Sequence, residues 1–376
     1  MTQTLVADLI QLLTPEGEAG LTGPYANYIS TLTVQDLLDM YEAMVVTRAF
    51  DTAATALQRQ GELGLWCPSL GQEAAQVGSA WALKPQDFAF PGYRDHAVLK
   101  VRGVDLMDIL KHVRGVDHGG WNPRDHNCHL YTLVVGAQTL HATGYAMGVR
   151  KDGACATGDP EQDQAVIAYF GDGASSEGDV SESLVFAATH QAPIVFFCQN
   201  NQWAISEPTT RQTAVPLSRR GEGFGIPGVR VDGNDVLATY AVTAAALNAA
   251  RAGQGPQFIE AFTYRMGPHT TSDDPTRYRR GDDLEAWQAR DPIDRMRRLL
   301  ENQSLAEPGF FEDVEAIAAA VAEEARQAVR GLEPHDLAYF FDLAYATPHT
   351  LVDEEKTWWT DYEATLAGVA GQAGVR

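Results

Sequence analysis

The stretch Ala165-Val-Ile-Ala-Tyr-Phe-Gly-Asp-Gly-Ala-Ser-Ser-Glu-Gly178 decides the fold. A short apolar run leads directly into a glycine turn, which predicts a buried strand followed by the start of a helix. Glycines let a backbone pass close to a phosphate, and the free N–H groups at a helix start favour an anion. Asp172 in this turn would repel a bare phosphate unless a cation lay between them. Taken alone, the turn is equally consistent with an ordinary tight turn.

A second apolar run, Ile194 to Gln199, ends in two asparagines, Asn200 and Asn201. Asn201 follows Asp172 by 29 residues. Neighbouring parallel strands place such side chains at one carboxyl edge, where open α/β sheets bind ligands. Carboxylate and carboxamide oxygens suit Mg²⁺, which takes few protein ligands and completes its octahedron with phosphate and water. The pair therefore predicts a magnesium site, to which the backbone carbonyl of Trp203 could add a third oxygen.

Strands and helices alternate around these two runs. This order predicts an α/β fold, with a doubly wound, mostly parallel sheet covered by helices on both faces. The predicted strands are 165–170, 194–199 and 258–264, and the predicted helices are 33–60, 180–190 and 235–251.

Three regions are predicted along the chain. Residues 1–32 form an N-terminal arm, residues 33–290 the α/β domain, and residues 291–376 a helical C-terminal extension with helices at 292–302, 311–330 and from Val352 onward. The segment Leu337 to Tyr345 contains four aromatic residues. It predicts a subunit interface, where aromatic residues are enriched, and a core tail is the alternative.

Composition excludes several classes of partner. The 376 residues carry a formal net charge of −22, from 50 acidic and 28 basic side chains, and such a surface repels nucleic acid and anionic membranes. The four cysteines form no C-x-x-C pair, and Cys198 is predicted to be a core thiol. The start of the chain lacks a signal-peptide pattern, and no apolar run reaches about 18 residues. We expect a soluble cytoplasmic protein that binds neither nucleic acid nor membrane.

The Gly-Asp-Gly turn followed by Asn-Asn resembles the thiamine-diphosphate-binding signature. The runs Phe170–Asp179, Phe196–Ser206, Val231–Val236 and Tyr264–Asp274 resemble the alpha subunits of branched-chain 2-oxo acid dehydrogenases. The resemblance implies a thiamine-diphosphate-binding fold, thiamine diphosphate and Mg²⁺ as cofactors, and oxidative decarboxylation of a 2-oxo acid. It also implies transfer of the acyl group to the lipoyl group of an acyltransferase.

The resemblance implies that residues of the Gly-Asp-Gly turn and of the segment after Gln199 bind the magnesium and the diphosphate of the cofactor. Asp172 and Asn201 match the magnesium ligands, with the Trp203 carbonyl as the third. Gly173 and Ala174 match backbone N–H donors to the diphosphate.

Other matching positions lie outside the two runs. Tyr93 and Arg94 match a pair that contacts the diphosphate, and the planar fork of arginine suits phosphate oxygens. Val135 matches the apolar residue that wedges the cofactor into its bent form. Without the resemblance, a surface Tyr-Arg pair and a core valine would be the better interpretations.

His269 matches the active-site histidine, in a long polar loop from Met266 to Asp283. The resemblance implies that it positions the diphosphate and the acyl intermediate and handles a proton, since imidazole titrates near neutral pH. An inert loop histidine is the alternative. Thr270 falls where some animal relatives carry a regulatory phosphoserine.

The resemblance also implies partners. In the family, a beta subunit supplies the glutamate that helps to activate the cofactor, and this sequence predicts only one doubly wound sheet. We therefore expect a heterotetramer of two alpha and two beta chains that works with a lipoyl acyltransferase on a small 2-oxo acid.

Departures from the family pattern leave the substrate open. Gln199 stands where branched-chain enzymes often carry arginine, and Val134–Gln138 looks more like pyruvate-specific relatives. Residues 119–131 match poorly, and the family histidine of that segment is placed at His126. The alternatives are a pyruvate or acetoin dehydrogenase alpha subunit and, from another class, a non-catalytic magnesium-nucleotide-binding module.

Overall fold

A computed structural model describes residues 9–20, 22–116, 119–130, 133–333, 335–336 and 338–373, without the side chains of residues 367–373. The strands are β1 Phe88–Phe90, β2 Val166–Gly171, β3 Ile194–Asn200, β4 Trp203–Ala204, β5 Glu207–Pro208, β6 Gly228–Asp232 and β7 Gln257–Phe262. Five of them form one sheet in the order β1-β2-β3-β7-β6, with every neighbouring pair parallel, while β4 and β5 form a small antiparallel ribbon.

Helices fill the connections between the strands. They are α1 Ala26–Ile29, α2 Val34–Arg59, α3 Glu73–Trp81, α4 His96–Val101, α5 Leu106–Arg114, α6 Pro123–His126, α7 Ala137–Lys151, α8 Gly178–His190, α9 Thr209–Gln212, α10 Ser218–Gly223, α11 Val236–Arg251, α12 Gly281–Gln288, α13 Pro292–Asn302, α14 Phe310–Arg330, α15 Ala338–Asp342 and α16 Thr350–Ala373, with 3₁₀ turns at Ala174–Ser176 and Pro275–Arg277.

The sheet is covered on both faces. Successive side chains of a strand point to opposite faces. In β2, Val166, Ala168 and Phe170 belong to a core that includes residues of α7 and α8, whereas Ile167 and Tyr169 belong to a second core with residues of α2, α3 and α11. The predicted doubly wound fold is confirmed.

The predicted start of α2 is confirmed in atomic detail. Thr33 Oγ1 accepts a hydrogen bond from the Asp36 backbone N–H at 3.1 Å, and the Asp36 carboxylate accepts one from the Thr33 N–H at 2.8 Å. This capping box satisfies two backbone donors that the first helical turn leaves unpaired.

Several elements are not apparent from the sequence pattern. β1 has only three residues, β6 carries Arg230 within its apolar alternation, and α7 contains Gly144 and Gly148. These elements form because neighbouring strands and helices bury them, which a local pattern does not report.

The N-terminal arm extends one edge of the sheet. Ile10 forms a parallel bridge with Val231 of β6, and at the opposite edge Cys128 bridges Ala89 of β1. Asp235, the N-cap of α11, fixes the arm because its Oδ2 accepts hydrogen bonds from the backbone N–H groups of Leu12 and Leu13, both at 2.6 Å.

The chain divides into two compact units, one that ends at Arg330 and one that begins at Gly331. α13 and α14 lie in the first unit and pack against α2. In the second unit, Lys356 of α16 forms an ion pair with Asp342 at 2.6 Å. The predicted boundaries at residues 32 and 290 stay predictions, since compact units do not by themselves define domains.

The aromatic segment lies in the second unit. Tyr339, Phe340 and Tyr345 are exposed there, whereas Leu337 lies outside the described residues. Its interface role stays a prediction. In the part of the chain that the structure describes, no helix is both long and apolar enough to cross a membrane.

We predict that Asp235→Ala lowers the free energy of unfolding by roughly 2–4 kcal/mol, because it removes a helix cap and leaves buried N–H groups unpaired. Urea denaturation and limited proteolysis of the arm would measure this. Thr33→Ala is the control, since it removes an exposed cap worth about 1 kcal/mol and leaves the arm untouched. Equal losses in the two variants, with unchanged proteolysis, would contradict the prediction.

Candidate active site

A cleft lies at the carboxyl ends of the central strands. It encloses about 940 Å³ of empty space, part of it open to solvent. Its wall contains all nine residues that the sequence predicts for the site: Tyr93, Arg94, Val135, Asp172, Gly173, Ala174, Asn201, Trp203 and His269. Segments that are far apart in the sequence therefore meet in one place.

Asp172 lies in the turn after β2 and is only 1% exposed. Its Oδ2 accepts hydrogen bonds from Thr209 Oγ1 at 3.1 Å and from Gln212 Nε2 at 2.9 Å. Burial raises the pKa of the Asp172 carboxyl, and the hydrogen bonds from Gln212 and Thr209 oppose this rise. A cation at this carboxylate would favour the charged form and offset the cost of its burial.

Asn201 and Trp203 contribute oxygen atoms to the same wall. Asn201 Nδ2 donates to Gln72 Oε1 at 3.1 Å, which fixes the orientation of the amide. The Trp203 carbonyl accepts a hydrogen bond from Arg265 Nη1 at 2.7 Å, and its second lone pair remains for another partner. Carboxylate, amide and carbonyl oxygens are hard donors of the kind that Mg²⁺ prefers. Among the described residues, no group of three or more His, Cys, Asp or Glu side chains could hold a metal.

Gly173 stands where the backbone closely approaches another chain segment. A Cβ atom at this position would lie 2.9 Å from the Cβ of Ala204, which is too close for any residue but glycine. The turn therefore keeps its narrow shape, and Ala174 continues it into the 3₁₀ turn that precedes α8.

Three arginines concentrate positive charge at the cleft. Arg94 and Arg265 line it, and Arg279 donates to the carbonyl oxygen of Arg265 at 2.6 Å. Burial, together with the neighbouring charges of Arg94 and Arg279, lowers the pKa of Arg265 to about 10. The chain as a whole carries a net charge of −22, so the cleft differs in sign from the rest of the protein. Its positive potential favours the binding of an anionic ligand.

His269 faces two of these arginines. Its Nδ1 lies 3.2 Å from Arg94 Nη2 and 3.2 Å from Arg265 Nη1. Burial and the charges of Arg94 and Arg265 lower the pKa of His269 to about 3, while the Asp273 carboxylate opposes the shift. Since guanidinium groups only donate, Nδ1 is the acceptor and the proton of the neutral ring resides on Nε2.

Asp273 fixes the loop that carries His269. Its Oδ2 accepts the His269 backbone N–H at 2.8 Å and also the Tyr278 hydroxyl. Thr270 Oγ1 accepts the Ser272 backbone N–H at 3.3 Å, so this residue belongs to the same turn, and its regulation stays a prediction.

Gln199 places a neutral side chain in the cleft wall, at the position where branched-chain enzymes often carry arginine. It lines the wall, donates to Asp95 and accepts a hydrogen bond from Gln76 Nε2 at 3.1 Å. His126 lies on α6, where its carbonyl accepts from Arg102, and it does not line the cleft. Tyr131, at the end of the poorly matching segment, lies outside the described residues.

Among the wall residues without a role predicted from the sequence are Arg265 and Gln72. Arg265 lies in the same run as His269, Tyr264–Asp274, which resembles the family, and its position four residues earlier was the signal available. Gln72 contacts Asn201 from the N-terminus of α3, and no spacing or motif indicated this contact.

The parallel sheet and the cleft at its carboxyl edge agree with the thiamine-diphosphate-binding fold of the family that the chain matches. Residues 41–336 match the dehydrogenase E1 component family. The chain is 46% identical over 349 residues to a 3-methyl-2-oxobutanoate dehydrogenase subunit alpha of Mycobacterium tuberculosis, with 92% of each chain covered. It is 40% identical over 300 residues to a pyruvate dehydrogenase E1 component subunit alpha of Staphylococcus aureus, with 79% of this chain and 78% of the relative covered.

A pyruvate dehydrogenase E1 component subunit alpha of Staphylococcus epidermidis is 36% identical over 350 residues, with 92% of this chain and 91% of the relative covered. The chain belongs to the dehydrogenase E1 component family, whose members in general depend on thiamine diphosphate.

We predict that His269 stays neutral well below the usual histidine pKa of about 6.5, because burial and the charges of Arg94 and Arg265 oppose a further positive charge. Adding inorganic diphosphate should raise its pKa, since the anion offsets the arginines. An NMR titration of ¹³C-labelled histidine would measure both, and loss of one resonance in His269→Gln identifies the signal. Titration near pH 6.5 without diphosphate would contradict the prediction.

Proposed function

We propose that this chain is the alpha subunit of a branched-chain 2-oxo acid dehydrogenase. It decarboxylates the 2-oxo acid oxidatively and passes the acyl group to the lipoyl group of an acyltransferase. The observation that carries this proposal is the assembly of all nine predicted residues in one arginine-rich cleft. The 46% identity to a 3-methyl-2-oxobutanoate dehydrogenase subunit alpha supports the branched-chain substrate.

The wall residues fit thiamine diphosphate and Mg²⁺. Asp172, Asn201 and the Trp203 carbonyl would hold the metal, which suits their oxygen donors. Tyr93 and Arg94 would bind the diphosphate. When bound, the cofactor supplies the carbanion and electron-sink chemistry that no side chain provides.

Backbone and apolar groups would complete the cofactor site. Gly173 and Ala174 would donate their N–H groups to the diphosphate, and Val135 would support the bent form of the cofactor. Both roles follow from the family resemblance and agree with the places of these residues in the wall.

His269 is proposed as the catalytic residue of this chain. In the structure Nδ1 of its neutral ring accepts from the two arginines, and Nε2 carries the proton that it would offer to the reacting groups. A bound diphosphate would offset the charges of Arg94 and Arg265 and raise the pKa of His269, and an imidazole whose Nδ1 is released from the arginines would take up and give back a proton nearer neutral pH.

A second cavity adjoins the cleft and offers room for an acyl chain. Tyr93 lines both cavities, and the second one has apolar walls that include Leu65, Trp66, Val113 and Leu133. An apolar pocket favours each additional methyl group by roughly 1–3 kcal/mol. We propose that this cavity binds the branched side chain of the substrate.

We propose a heterotetramer of two alpha and two beta chains. The described residues hold one five-stranded sheet, and the family resemblance assigns the activating glutamate to the beta chain. The pyruvate relatives and the Val134–Gln138 run favour pyruvate as the second candidate substrate. Family membership argues against a non-catalytic nucleotide-binding module.

We predict that Asp172→Ala weakens Mg²⁺-dependent binding of thiamine diphosphate to the alpha–beta complex by more than about 100-fold, since losing only an outer partner of a metal ligand already costs about 10–100-fold. Calorimetric titration with and without Mg²⁺ would measure this. Asp152→Ala, an exposed acidic residue outside the cleft, should bind normally. Unchanged affinity in Asp172→Ala would remove this residue from the metal site.

We predict that the alpha–beta complex prefers 2-oxoisovalerate to pyruvate by roughly 10–200-fold in kcat/KM, and that the alpha chain alone shows no turnover. Reduction of an artificial electron acceptor would follow both. Leu65→Phe should lower the preference because it narrows the second cavity, whereas Val215→Phe, which is exposed and lines neither cavity, should not. A pyruvate preference would establish the second candidate, and robust turnover by the lone alpha chain would refute the shared site.

A further inference from the structure

The segment Leu65–Gly71 runs beside the loop that carries His269. This segment has no regular secondary structure. The Leu70 carbonyl accepts the Met266 backbone N–H at 3.0 Å, and the Trp66 carbonyl accepts the Thr271 backbone N–H at 3.0 Å. These two bonds lie on either side of His269 in the sequence, so the position of the segment determines where the histidine loop lies.

The same segment also holds an arginine of the cleft. The Pro68 carbonyl accepts a hydrogen bond from Arg94 Nη1 at 2.5 Å. The other arm of this guanidinium, Nη2, donates to the His269 carbonyl at 2.8 Å. One carbonyl oxygen thus orients the planar fork of Arg94, and the fork contacts His269 directly.

Asp51 binds this segment through hydrogen bonds. It lies on α2, is 3% exposed and does not line the cleft. Its Oδ1 accepts the Trp66 indole N–H at 2.6 Å, and its Oδ2 accepts the Ser69 backbone N–H at 3.0 Å. The two bonds hold the segment on both sides of Pro68.

Burying the charged form of the Asp51 carboxylate costs free energy. Burial raises the pKa of Asp51 to about 7, against the lowering effect of the Trp66 hydrogen bond. A carboxylate has two acceptor oxygens at a fixed separation, and an apolar side chain of similar size has none. The Asp51 carboxylate therefore pairs two donors of one irregular segment, which an apolar side chain could not do.

We propose that Asp51 is a positioning residue of the active site, which holds Trp66 and Ser69 so that the Pro68 carbonyl orients Arg94 and, through it, His269. The inference rests on the proposed roles of Arg94 and His269. It adds a residue of α2 that does not reach the cleft.

Asp51→Asn tests the proposal because it keeps the shape of the side chain. The amide offers one acceptor oxygen, and its NH₂ group would face one of the two donors, so one of the two bonds is lost. We expect kcat of the alpha–beta complex to fall about 10- to 100-fold, as small displacements of catalytic groups do, while the Kd for thiamine diphosphate with Mg²⁺ changes less than about threefold, because several groups bind the diphosphate.

The titration of His269 gives a readout independent of activity. When Arg94 moves away, one of the charges that add to burial in depressing the pKa of His269 weakens, so the pKa should rise toward its usual value. Asp39→Asn is the matched control, with the same substitution on the partly exposed surface of α2. It should change neither kcat nor the His269 titration.

The outcomes are distinct. A raised His269 pKa and a reduced kcat in Asp51→Asn, both absent from Asp39→Asn, would support the proposal. A lower thermal midpoint with unchanged kcat and unchanged His269 titration would overturn it and make Asp51 a scaffold residue. If the wild-type complex lacked 2-oxo acid activity, the proposed function would fail, and the titration alone would still decide the positioning role.

Discussion

The parallel pairing of β2 with β3 is the constraint on which the site depends. Gly171 at the end of β2 pairs in register with Gln199 near the end of β3. Asp172 follows Gly171 directly and Asn201 follows Gln199 by two residues, so the backbone hydrogen bonds between the strands bring both to one edge of the sheet. A shift by one residue would turn the side chains of a whole strand to the opposite face, and the apolar cores on both faces prevent it.

This constraint explains how much of the site could be predicted from the sequence. Asp172 and Asn201 lie at strand ends, where register alone brings them together. His269 and Arg94 lie in loops, and their placement depended on a family resemblance. Gln72 and Gln212 contact the predicted metal ligands from helix termini, and their positions follow from the packing of distant segments, which no local pattern encodes.

The fold shows the same division between local and tertiary information. The helix at 34–59 was predicted at 33–60, because Thr33 can cap it, Asp36 follows three positions later, and the apolar period is written in consecutive residues. β6 was not, because Arg230 interrupts its apolar alternation; its guanidinium is accommodated by Glu260, 3.3 Å away on the neighbouring strand. Only the paired strands reveal why a charged residue is tolerated in a buried position.

The single-residue bridges at the two sheet edges, Ile10 with Val231 and Cys128 with Ala89, affect how the protein behaves in a crowded solution. An open sheet ends in two rows of unpaired N–H and C=O groups, each a template on which a strand of another molecule can add. Ile10 donates to the Arg230 carbonyl and accepts the Asp232 N–H, both at 3.0 Å, and around Cys128 the chain pairs with Ala89 in the same manner. Short pieces of chain thus occupy both edges and protect the sheet from edge-to-edge aggregation.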